Sequence, residues 1–347
     1  MFQDITVDKL LALHENKEVV LVDVRSPSEY RDATIPGSIN ISLFNDEERA
    51  EIGTIYKQVS VEAAKERGLE IVSAKLPAFI KEFQKTAGQK VVFCWRGGMR
   101  SKTAATVLDL MGIKAYRLHG GFRAYRNWVV DTLKQLKFGQ EAYIFNGYTG
   151  TGKTLLLRRL QEEGYPVLDL EKMASHRGSI FGQIGLTPNN QKTFEALLVH
   201  ETLRLEQAPY ILFEAESKRI GKAVLPEFIL EKKEHGIQLF INMPIEERVR
   251  HILEDYEPEK HQQEYIEAFR KIKRRIHTPV AARIDADLQA GNFEEAVRLL
   301  LEHYYDPRYE HTASKYAEER KIMIDVKNMD EALQAIRKML PVPTRQL

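Results

Sequence analysis

The chain has 347 residues, a length that predicts two domains because single hydrophobic cores rarely grow beyond about 300 residues. Its single cysteine excludes internal disulfides and cysteine-rich zinc sites, and such cysteine usage is typical of a cytoplasmic protein. A formal net charge of +1 excludes a global attraction to nucleic acid, and the lack of an apolar run of about 18 residues excludes a membrane span.

Residues 1–130 alternate strand-like and helix-like runs, which predicts a parallel α/β domain. The predicted strands are Val19–Val24, Val91–Cys94 and Ala115–Leu118, and the predicted helices are Val7–His14, Ala74–Thr86 and Lys102–Met111. Between Asn45 and Leu69 lies a charged insertion, which we interpret as a solvated helical excursion. A surface for a partner or substrate is the alternative interpretation of this insertion.

The second of these strands ends on Cys94, and a loop with two glycines leads from it into a helix-like run. Glycines let successive backbone N–H groups turn inward, and the helix start adds further free N–H groups, so the segment predicts an anion cradle. Because two arginines add positive charge, the Cys94 thiol is expected to ionise readily and to act as a nucleophile. A buried structural cysteine is the alternative. The predicted cradle comprises Arg96, Gly97, Gly98, Met99, Arg100 and Ser101.

This loop resembles the active loop of rhodaneses, which are sulfurtransferases that carry sulfur as a cysteine persulfide. Three further segments resemble the same family, namely Val20–Arg25, Ile35–Asn40 and Leu118–Phe122. Five residues separate Cys94 from Arg100, whereas common single-domain rhodaneses have four. The wider spacing is that of cysteine phosphatases, which favours a loop shaped for a phosphate-bearing donor.

A connecting helix and linker are predicted over residues 131–140, and a second domain over residues 141–347. This domain opens with the strand Ala142–Phe145, a G-x-x-x-x-G-K-T sequence and the helix Leu155–Glu162, which is the context of a phosphate-binding P-loop. Its glycines let N–H groups face a phosphate chain, Lys153 adds a charge, and Thr154 can bind Mg²⁺. The predicted phosphate-binding residues are Gly147, Tyr148, Thr149, Gly150, Thr151, Gly152, Lys153 and Thr154.

Two further predicted strands of this domain, Pro166–Leu170 and Pro209–Glu214, carry acids at their ends. Glu214 lies where P-loop enzymes place the acid of the Mg²⁺ shell, so Thr154 and Glu214 are the predicted metal ligands. The His-Arg-Gly-Ser sequence after the first of these strands has anion-binding character, with a plain surface loop as the alternative. Residues expected to contact substrate or to support the site are Asp169, His176, Arg177, Ser179, Glu214, Glu216, Lys218 and Arg219.

The densest basic run, Phe269–Arg275, lies in a predicted helix over Pro258–Ile276. A charge run is usually a solvated helix face, and contact with an RNA phosphate backbone is the alternative. On helical spacing we expect Arg270, Lys273 and Arg274 to share one face.

A rhodanese-like domain fused to a P-loop domain resembles the tRNA 2-selenouridine synthase family. The segments that carry this resemblance are Phe93–Ser101, Gly147–Thr154, Leu168–Glu171, His176–Ser179 and Glu214–Arg219. It implies an α/β fold, with an N-terminal rhodanese-like parallel α/β domain followed by a P-loop NTPase-like α/β domain. It also implies that selenium replaces sulfur at C2 of wobble 2-thiouridine in the anticodon arm of tRNA. Selenophosphate would be the donor, and the shared basic face would hold the tRNA.

The same resemblance implies a geranyltransferase activity, in which geranyl diphosphate alkylates the sulfur and makes it a better leaving group. The P-loop would bind this diphosphate, and Lys153 with Mg²⁺ on Thr154 would stabilise the departing pyrophosphate. No tightly bound cofactor is expected, and a selenophosphate-supplying enzyme is an expected partner. Two alternatives remain: a cysteine phosphatase or sulfurtransferase fused to a nucleotide-binding kinase-like domain, and a non-catalytic RNA-binding protein.

Overall fold

The protein is described by a computed structural model that covers residues 2–313 and 316–342. Its contacts divide the chain into two compact units. The first comprises Met1–Gln135 with Glu195–Leu197, and the second comprises Leu136–Phe194 with Leu198–Leu347. Each unit contains a parallel sheet flanked by helices, so the predicted α/β fold class is confirmed. Among the described residues, no helix combines the length and the apolar character that a bilayer crossing requires.

The first unit is built on five strands: β1 (Gln3–Ile5), β2 (Val19–Asp23), β3 (Ile39–Asn40), β4 (Gln89–Phe93) and β5 (Ala115–Leu118). They form one parallel sheet in the order β1-β5-β4-β2-β3. The helices are α1 (Val7–Glu15), α2 (Pro27–Asp32), α3 (Asp46–Gln58), α4 (Val61–Lys85), α5 (Met99–Leu110) and α6 (Gly121–Gln135).

The central strand β4 is buried on both faces, which explains its continuous run of apolar residues from Val91 to Phe93. In an open parallel sheet, functional groups collect at the carboxyl ends of the strands, and β4 delivers Cys94 to that edge. The charged insertion folds into α3 and the first turns of α4. Helix α4 begins at Val61, well before the predicted start at Ala74, because the Ser60 side chain caps it by accepting from the Ala63 N–H at 3.0 Å.

The second unit contains β6 (Glu141–Gly147), β7 (Tyr210–Glu214), β8 (Arg219–Ile220), β9 (Ala223–Val224), β10 (Ile237–Asn242) and β11 (Lys321–Asp325). Four of them form a parallel sheet in the order β11-β10-β6-β7, while β8 and β9 make a short antiparallel pair. The first helices are α7 (Lys153–Glu162), α8 (Leu170–Ala174), α9 (Gln191–Arg204) and α10 (Glu227–His235).

Between β10 and β11 the second unit carries a helical layer. Its α-helices are α11 (Ile245–Tyr256), α12 (Gln262–Ile272), α13 (Thr278–Ala290), α14 (Phe293–Leu300) and α15 (Asp306–Ala313), and α16 (Met329–Met339) follows β11. A π-helical turn, Leu301–Tyr305, separates α14 from α15. Apolar residues of this layer share one core with Phe181 and Ile184 of the loop after α8, so that loop and the π-helical turn are fixed by the same packing.

Two predicted elements of the second unit differ from the structure. The predicted strand Pro166–Leu170 is reduced to one bridge between Val167 and Leu212, because the Asp169 side chain accepts from the Lys172 N–H at 2.8 Å and starts α8. The predicted helix Pro258–Ile276 is divided into α12 and the 3₁₀ turns Pro258–Lys260 and Lys273–Arg275. Tightening of a terminal turn in this way pairs carbonyl groups that an α-helix would leave free.

Candidate functional site

Cys94 lies directly after β4, and only 3% of its surface is exposed. The start of α6 holds the loop that follows: the Cys94 carbonyl accepts from the Phe122 N–H at 2.8 Å, and the Trp95 carbonyl accepts from the Arg123 N–H at 2.9 Å. Gly121 is required at this contact, because its φ is +61° and a Cβ atom would collide with the Cys94 carbonyl oxygen. The shape of the cysteine loop is therefore fixed by backbone contacts.

The Cys94 sulfur has polar neighbours from α5. Its Sγ lies 3.2 Å from the Ser101 hydroxyl and 4.0 Å from the Gly98 carbonyl oxygen. Ser101 is fully buried in the first turn of α5, and Met99 begins that helix immediately after the loop. The free N–H groups of a first helical turn attract anions. The structure thus brings together the thiol, a hydroxyl and a helix N-terminus.

Arg100 is engaged in an ion pair that the sequence did not reveal. Its guanidinium makes two hydrogen bonds to the Glu29 carboxylate, one of them from Nη2 to Oε1 at 3.1 Å. Although burial opposes the shift, the hydrogen bond from Arg100 holds the pKa of Glu29 below its ordinary value. The charge that we expected from Arg100 is therefore balanced by Glu29. Arg96 is exposed, at the start of the loop.

Two arginines outside the predicted site also support this loop. Arg25 is buried against Asp23, and its guanidinium lies 4.3 Å from the centroid of the Phe122 ring. Arg117 donates to the Gly97 carbonyl oxygen at 3.0 Å. Arg25 ends one of the segments that resemble rhodaneses, Val20–Arg25, whereas the role of Arg117 depends on the pairing of β5 with β4 and had no local signal in the sequence.

In the second unit, the predicted P-loop connects β6 to α7. Gly147, Gly150 and Gly152 have φ values of +134°, +86° and +72°, a region of backbone conformation that favours glycine. Lys153 opens α7, and its ammonium donates to the carbonyl oxygens of Gly147 at 2.9 Å and of Tyr148 at 3.1 Å. The positive charge of Lys153 is thereby held over the loop, as phosphate binding by a P-loop requires.

Three glutamates gather beside the P-loop. Carboxylate oxygens of Glu171, Glu214 and Glu216 all lie within 4.8 Å of one another. The Thr154 hydroxyl donates to Glu171 Oε2 at 2.9 Å. Glu214 Oε1 is buried and has no hydrogen-bond partner among the residues that the structure describes. Carboxylate and hydroxyl oxygens are the ligands that Mg²⁺ prefers, and a buried orphan carboxylate oxygen suits a cation, so these residues fit a divalent metal.

The electrostatics of this acid cluster also favour a bound cation. Burial and the charge of Glu216 raise the pKa of Glu214 to about 7. Burial, followed by the neighbouring Glu214, raises the pKa of Glu171 well above its ordinary value, and burial also raises the pKa of Glu216. Like charges in a desolvated cluster disfavour ionisation of all three groups. The cluster should therefore hold either protons or a divalent cation.

Thermal denaturation should reveal these carboxylates. Because the pKa of Glu214 rises from the ordinary 4.5 to about 7 on folding, the folded protein binds more protons than the unfolded chain between these values. The stability that the protonated cluster contributes is thus fully present below the unfolded pKa and is lost as the pH rises through the folded pKa. We expect the Tm in EDTA to fall from about pH 5 to about pH 8, and Mg²⁺ to restore most of the loss.

Glu214→Gln provides the comparison for this titration, since it removes one buried charge with little change of size. The variant should flatten the pH dependence of the Tm in EDTA and weaken the stabilisation by Mg²⁺. Glu206→Gln, at an exposed position of the same unit, is the matched control and should behave like the parent. A fall in Tm that Mg²⁺ does not reverse would contradict the metal assignment.

The remaining predicted residues differ in their relation to the cluster. Asp169 caps α8, and its carboxylate lies 3.5 Å from Arg158. The carboxylate that accepts from the Thr154 hydroxyl is instead that of Glu171, a residue that was not predicted to be a ligand. Glu171 belongs to the same sequence segment as Asp169, and only the turn into α8 decides between them. Lys218 and Arg219 are exposed at the start of β8.

The His-Arg-Gly-Ser loop lies against the acid cluster. Gly178 has a φ of +64°, and a Cβ there would lie 2.8 Å from a Glu171 carboxylate oxygen and 2.7 Å from one of Glu216. Burial, with Arg177 as a lesser cause, lowers the pKa of His176, so its Nδ1 stays neutral and accepts from the Gly178 N–H at 3.1 Å.

Arg177 and Ser179 of the same loop make structural contacts. The Arg177 Nε forms an ion pair with Asp255 at 3.0 Å, and its guanidinium lies 4.8 Å from the centroid of the Tyr256 ring. Ser179 Oγ lies 3.1 Å from the Tyr256 hydroxyl. These contacts fix the loop to the end of α11.

The predicted basic face is only partly available. Arg270 and Arg274 are exposed, whereas Lys273 forms an ion pair with Asp285 at 2.6 Å. A cavity of about 750 Å³ in the second unit does not favour an anion either, since five glutamates line it, namely Glu254, Glu257, Glu259, Glu294 and Glu295.

Fold and site together define a class of protein, a rhodanese-like domain followed by a P-loop domain with an acid cluster. Residues 6–127 match the rhodanese-like domain family. Residues 140–340 match the family described as the tRNA 2-selenouridine synthase AAA domain.

The chain belongs to the tRNA 2-selenouridine synthase family. It is 36% identical over 262 residues to the tRNA 2-selenouridine synthase of Bdellovibrio bacteriovorus, covering 73% of this chain and 68% of that protein. The enzyme of the same name from Nitrosomonas europaea is 34% identical over 261 residues, 73% of this chain and 67% of that protein. That of Sulfurovum sp. is 30% identical over 331 residues, 86% of this chain and 89% of that protein.

Proposed function

We propose that this chain replaces sulfur by selenium at C2 of wobble 2-thiouridine, position 34 of tRNA, with selenophosphate as the donor and an S-geranylated intermediate. The observation that carries the proposal is the presence, in one chain of this family, of a cysteine in an anion loop and of a P-loop beside an acid cluster. The two sites suit two successive transfers from phosphorus-containing donors. We place the reaction in the cytoplasm, where a lone reduced cysteine persists.

The second unit would catalyse geranylation. The thiouridine sulfur attacks C1 of geranyl diphosphate, the C–O bond breaks, pyrophosphate leaves, and the base loses its N3 proton. Lys153 and the N–H groups of the P-loop would hold the diphosphate and stabilise the charge that develops on the leaving group. A divalent cation on Glu171, Glu214, Glu216 and Thr154 would add further charge neutralisation at that group.

The first unit would act on selenophosphate. The N–H groups of the loop and of the first turn of α5 would bind its phosphate oxygens, as helix N-termini commonly do. Cys94 is the nucleophile there, and the Ser101 hydroxyl at 3.2 Å would orient its sulfur. Attack of the Cys94 thiolate on phosphorus would break the P–Se bond and release hydrogen selenide, and water would later hydrolyse the S-phosphocysteine to phosphate and the free thiol. The selenide would then attack C2 of the S-geranylated base and the C2–S bond would break. The two protons of hydrogen selenide would pass to N3 and to the departing geranyl thiol.

Reconstitution tests this proposal. The purified chain is incubated with a 2-thiouridine-containing anticodon stem-loop, Mg²⁺, geranyl diphosphate and selenophosphate, and the nucleosides are analysed by mass spectrometry. S-geranyl-2-thiouridine should form without selenophosphate, and 2-selenouridine should form when both donors are present. Failure to form either nucleoside under these conditions would contradict the proposal.

Docking of tRNA should depend on two exposed arginines, Arg270 of α12 and Arg274 of the 3₁₀ turn that follows it. Binding to an RNA backbone is mainly electrostatic, and Lys273 is already paired with Asp285. Replacing Arg270 and Arg274 with glutamine should therefore weaken tRNA binding and reduce its salt slope by roughly 0.7 to 0.9 for each phosphate interaction that is removed. The measurement is tRNA affinity over a salt series.

Lys271→Gln is the matched control for this pair, because Lys271 is exposed on the same helix but outside the predicted shared face. It should change the affinity less than the double substitution does. If the double variant keeps the affinity and slope of the parent, the basic run is only a solvated helix face.

A further inference from the structure

A second cavity of the P-loop unit, about 260 Å³, has three tyrosines and one isoleucine among its seven lining residues. It lies between the loop after α8 and the π-helical turn Leu301–Tyr305, and it continues into α15. The rings of Tyr304 and Tyr305 stand nearly perpendicular, with centroids 5.0 Å apart. The cavity is lined by Gly178, Ser179, Ile180, Tyr304, Tyr305, Arg308 and Tyr309.

Contacts at both ends of this cavity place it beside the phosphate site. Lys153 Nζ lies 5.7 Å from the centroid of the Tyr309 ring, and the ring of Tyr148, in the P-loop, lies 6.2 Å from the same ring. Gly178 of the cavity wall lies against the carboxylates of Glu171 and Glu216. A diphosphate held by Lys153 and by a cation on the glutamates would therefore have its organic group next to the cavity.

The cavity wall is also tied to the P-loop. Arg248 is buried, its Nε donates to the Thr149 carbonyl oxygen at 2.9 Å, and its Nη1 donates to Asp306 at 3.0 Å. Asp306 begins α15, directly after the π-helical turn, a type of turn that is frequent at functional sites. The tyrosine wall and the phosphate loop are thus parts of one preorganised structure, which reduces the entropic cost of binding a ligand that spans both.

We propose that this cavity binds the hydrocarbon chain of a prenyl diphosphate whose diphosphate occupies the P-loop, and that its size limits the chain to about the length of geranyl. The inference rests on the proposed function and adds a specificity site to it. Ligand sites for larger organic molecules measure about 300 to 1,000 Å³, so a cavity of about 260 Å³ suits a short chain. The Ser179 hydroxyl already contacts Tyr256 and accepts from the Phe181 N–H. The guanidinium of Arg308, which also lines the cavity, lies 3.7 Å from the centroid of the Tyr304 ring. The tyrosine rings and Ile180 supply the apolar surface for the ligand.

Calorimetric titration of the full chain with Mg²⁺ present tests the proposal. The probes are inorganic pyrophosphate and the unreactive thiolo analogues of geranyl and farnesyl diphosphate. Burial of the geranyl chain should make its analogue bind at least about tenfold tighter than pyrophosphate. The farnesyl analogue should bind more weakly than the geranyl analogue, because its chain exceeds the cavity.

Two substitutions change the cavity without removing a core residue, since Ile180 and Tyr309 are 38% and 36% exposed. Ile180→Trp should fill the cavity and lower the affinity for the geranyl analogue about tenfold, with pyrophosphate binding unchanged. Tyr309→Ala should open one wall and bring the farnesyl analogue to the affinity of the geranyl analogue. Leu110→Trp, on an exposed position of the first unit, is the control and should alter neither preference.

The outcomes separate this inference from the function on which it rests. If pyrophosphate and the geranyl analogue bind equally well, or if Ile180→Trp keeps the preference for the geranyl analogue, the cavity does not bind the chain, although the P-loop still binds a diphosphate. If neither diphosphate binds while ATP does, the proposed function itself is wrong. A preference for geranyl that Ile180→Trp removes and Leu110→Trp retains supports the proposal.

Discussion

Replacing Cys94 with serine is expected to abolish 2-selenouridine formation while S-geranylation continues. A serine hydroxyl is not ionised near neutral pH, so the nucleophile is removed, and the rate of selenation should fall at least about a thousandfold. The site is buried and the two side chains are similar in size, so the fold should be retained. Mass spectrometry of the nucleosides from modified tRNA measures both products in one sample.

Ser101→Ala is the companion variant. It keeps the thiol and removes the hydroxyl that lies 3.2 Å from it, so selenation should slow but persist. Circular dichroism of both variants checks the fold. A Cys94→Ser protein that still produces normal amounts of 2-selenouridine would remove Cys94 from the mechanism and leave the loop as an anion-binding element only.

The second large effect is expected from Lys153→Ala, which should block geranylation. The change removes the charge held over the P-loop, and loss of such an electrostatic donor costs about 2 to 4 kcal/mol of transition-state stabilisation, or roughly 30- to 1,000-fold in rate. Selenation of tRNA that has been geranylated chemically should proceed, because it does not need the diphosphate site. Single-turnover rates with the two RNA substrates provide the measurement.

Lys172→Ala is the matched control, since Lys172 is an exposed lysine of α8 near the same site. It should leave both rates close to those of the parent. Equal loss of selenation on 2-thiouridine and on pre-geranylated tRNA in the Lys153→Ala variant would assign the P-loop to another step, such as nucleotide use or tRNA placement.

The local structure around Cys94 and around Lys153 could be predicted from sequence because each segment is contiguous. A strand, a glycine-containing loop and a helix follow one another at Cys94 and again at Lys153, and this order places N–H groups and the key side chain together without any distant contact. The α/β fold class was predictable for the same reason, since alternating apolar strands and helices specify parallel sheets.

Contacts between distant segments could not be predicted in this way. Arg100 pairs with Glu29, 71 residues away, and Lys273 pairs with Asp285 of the next helix. Each site therefore has less positive charge to offer a bound anion than the number of its basic residues suggests. The tyrosine cavity likewise joins the loop at Ile180 to the π-helical turn, and helical periodicity gives no signal for an added residue within a turn.

The acid cluster illustrates a finer limit. Asp169 and Glu171 are two residues apart, and the sequence favoured Asp169 because a strand was predicted to continue to Leu170. The chain instead turns at Asp169, which becomes a helix cap, and the turn directs Glu171 to Thr154. Competition between capping and strand pairing depends on tertiary packing, which local sequence patterns do not report.

The most direct test of the central claim is mass spectrometry of wobble nucleosides in cells from which the gene for this chain has been deleted. Selenium supply must be adequate, and the parent strain and a strain complemented with the intact gene serve as controls. We predict that 2-selenouridine and S-geranyl-2-thiouridine disappear and that 2-thiouridine accumulates at the wobble position, with recovery on complementation. An unchanged level of 2-selenouridine in the deletion strain would contradict the account.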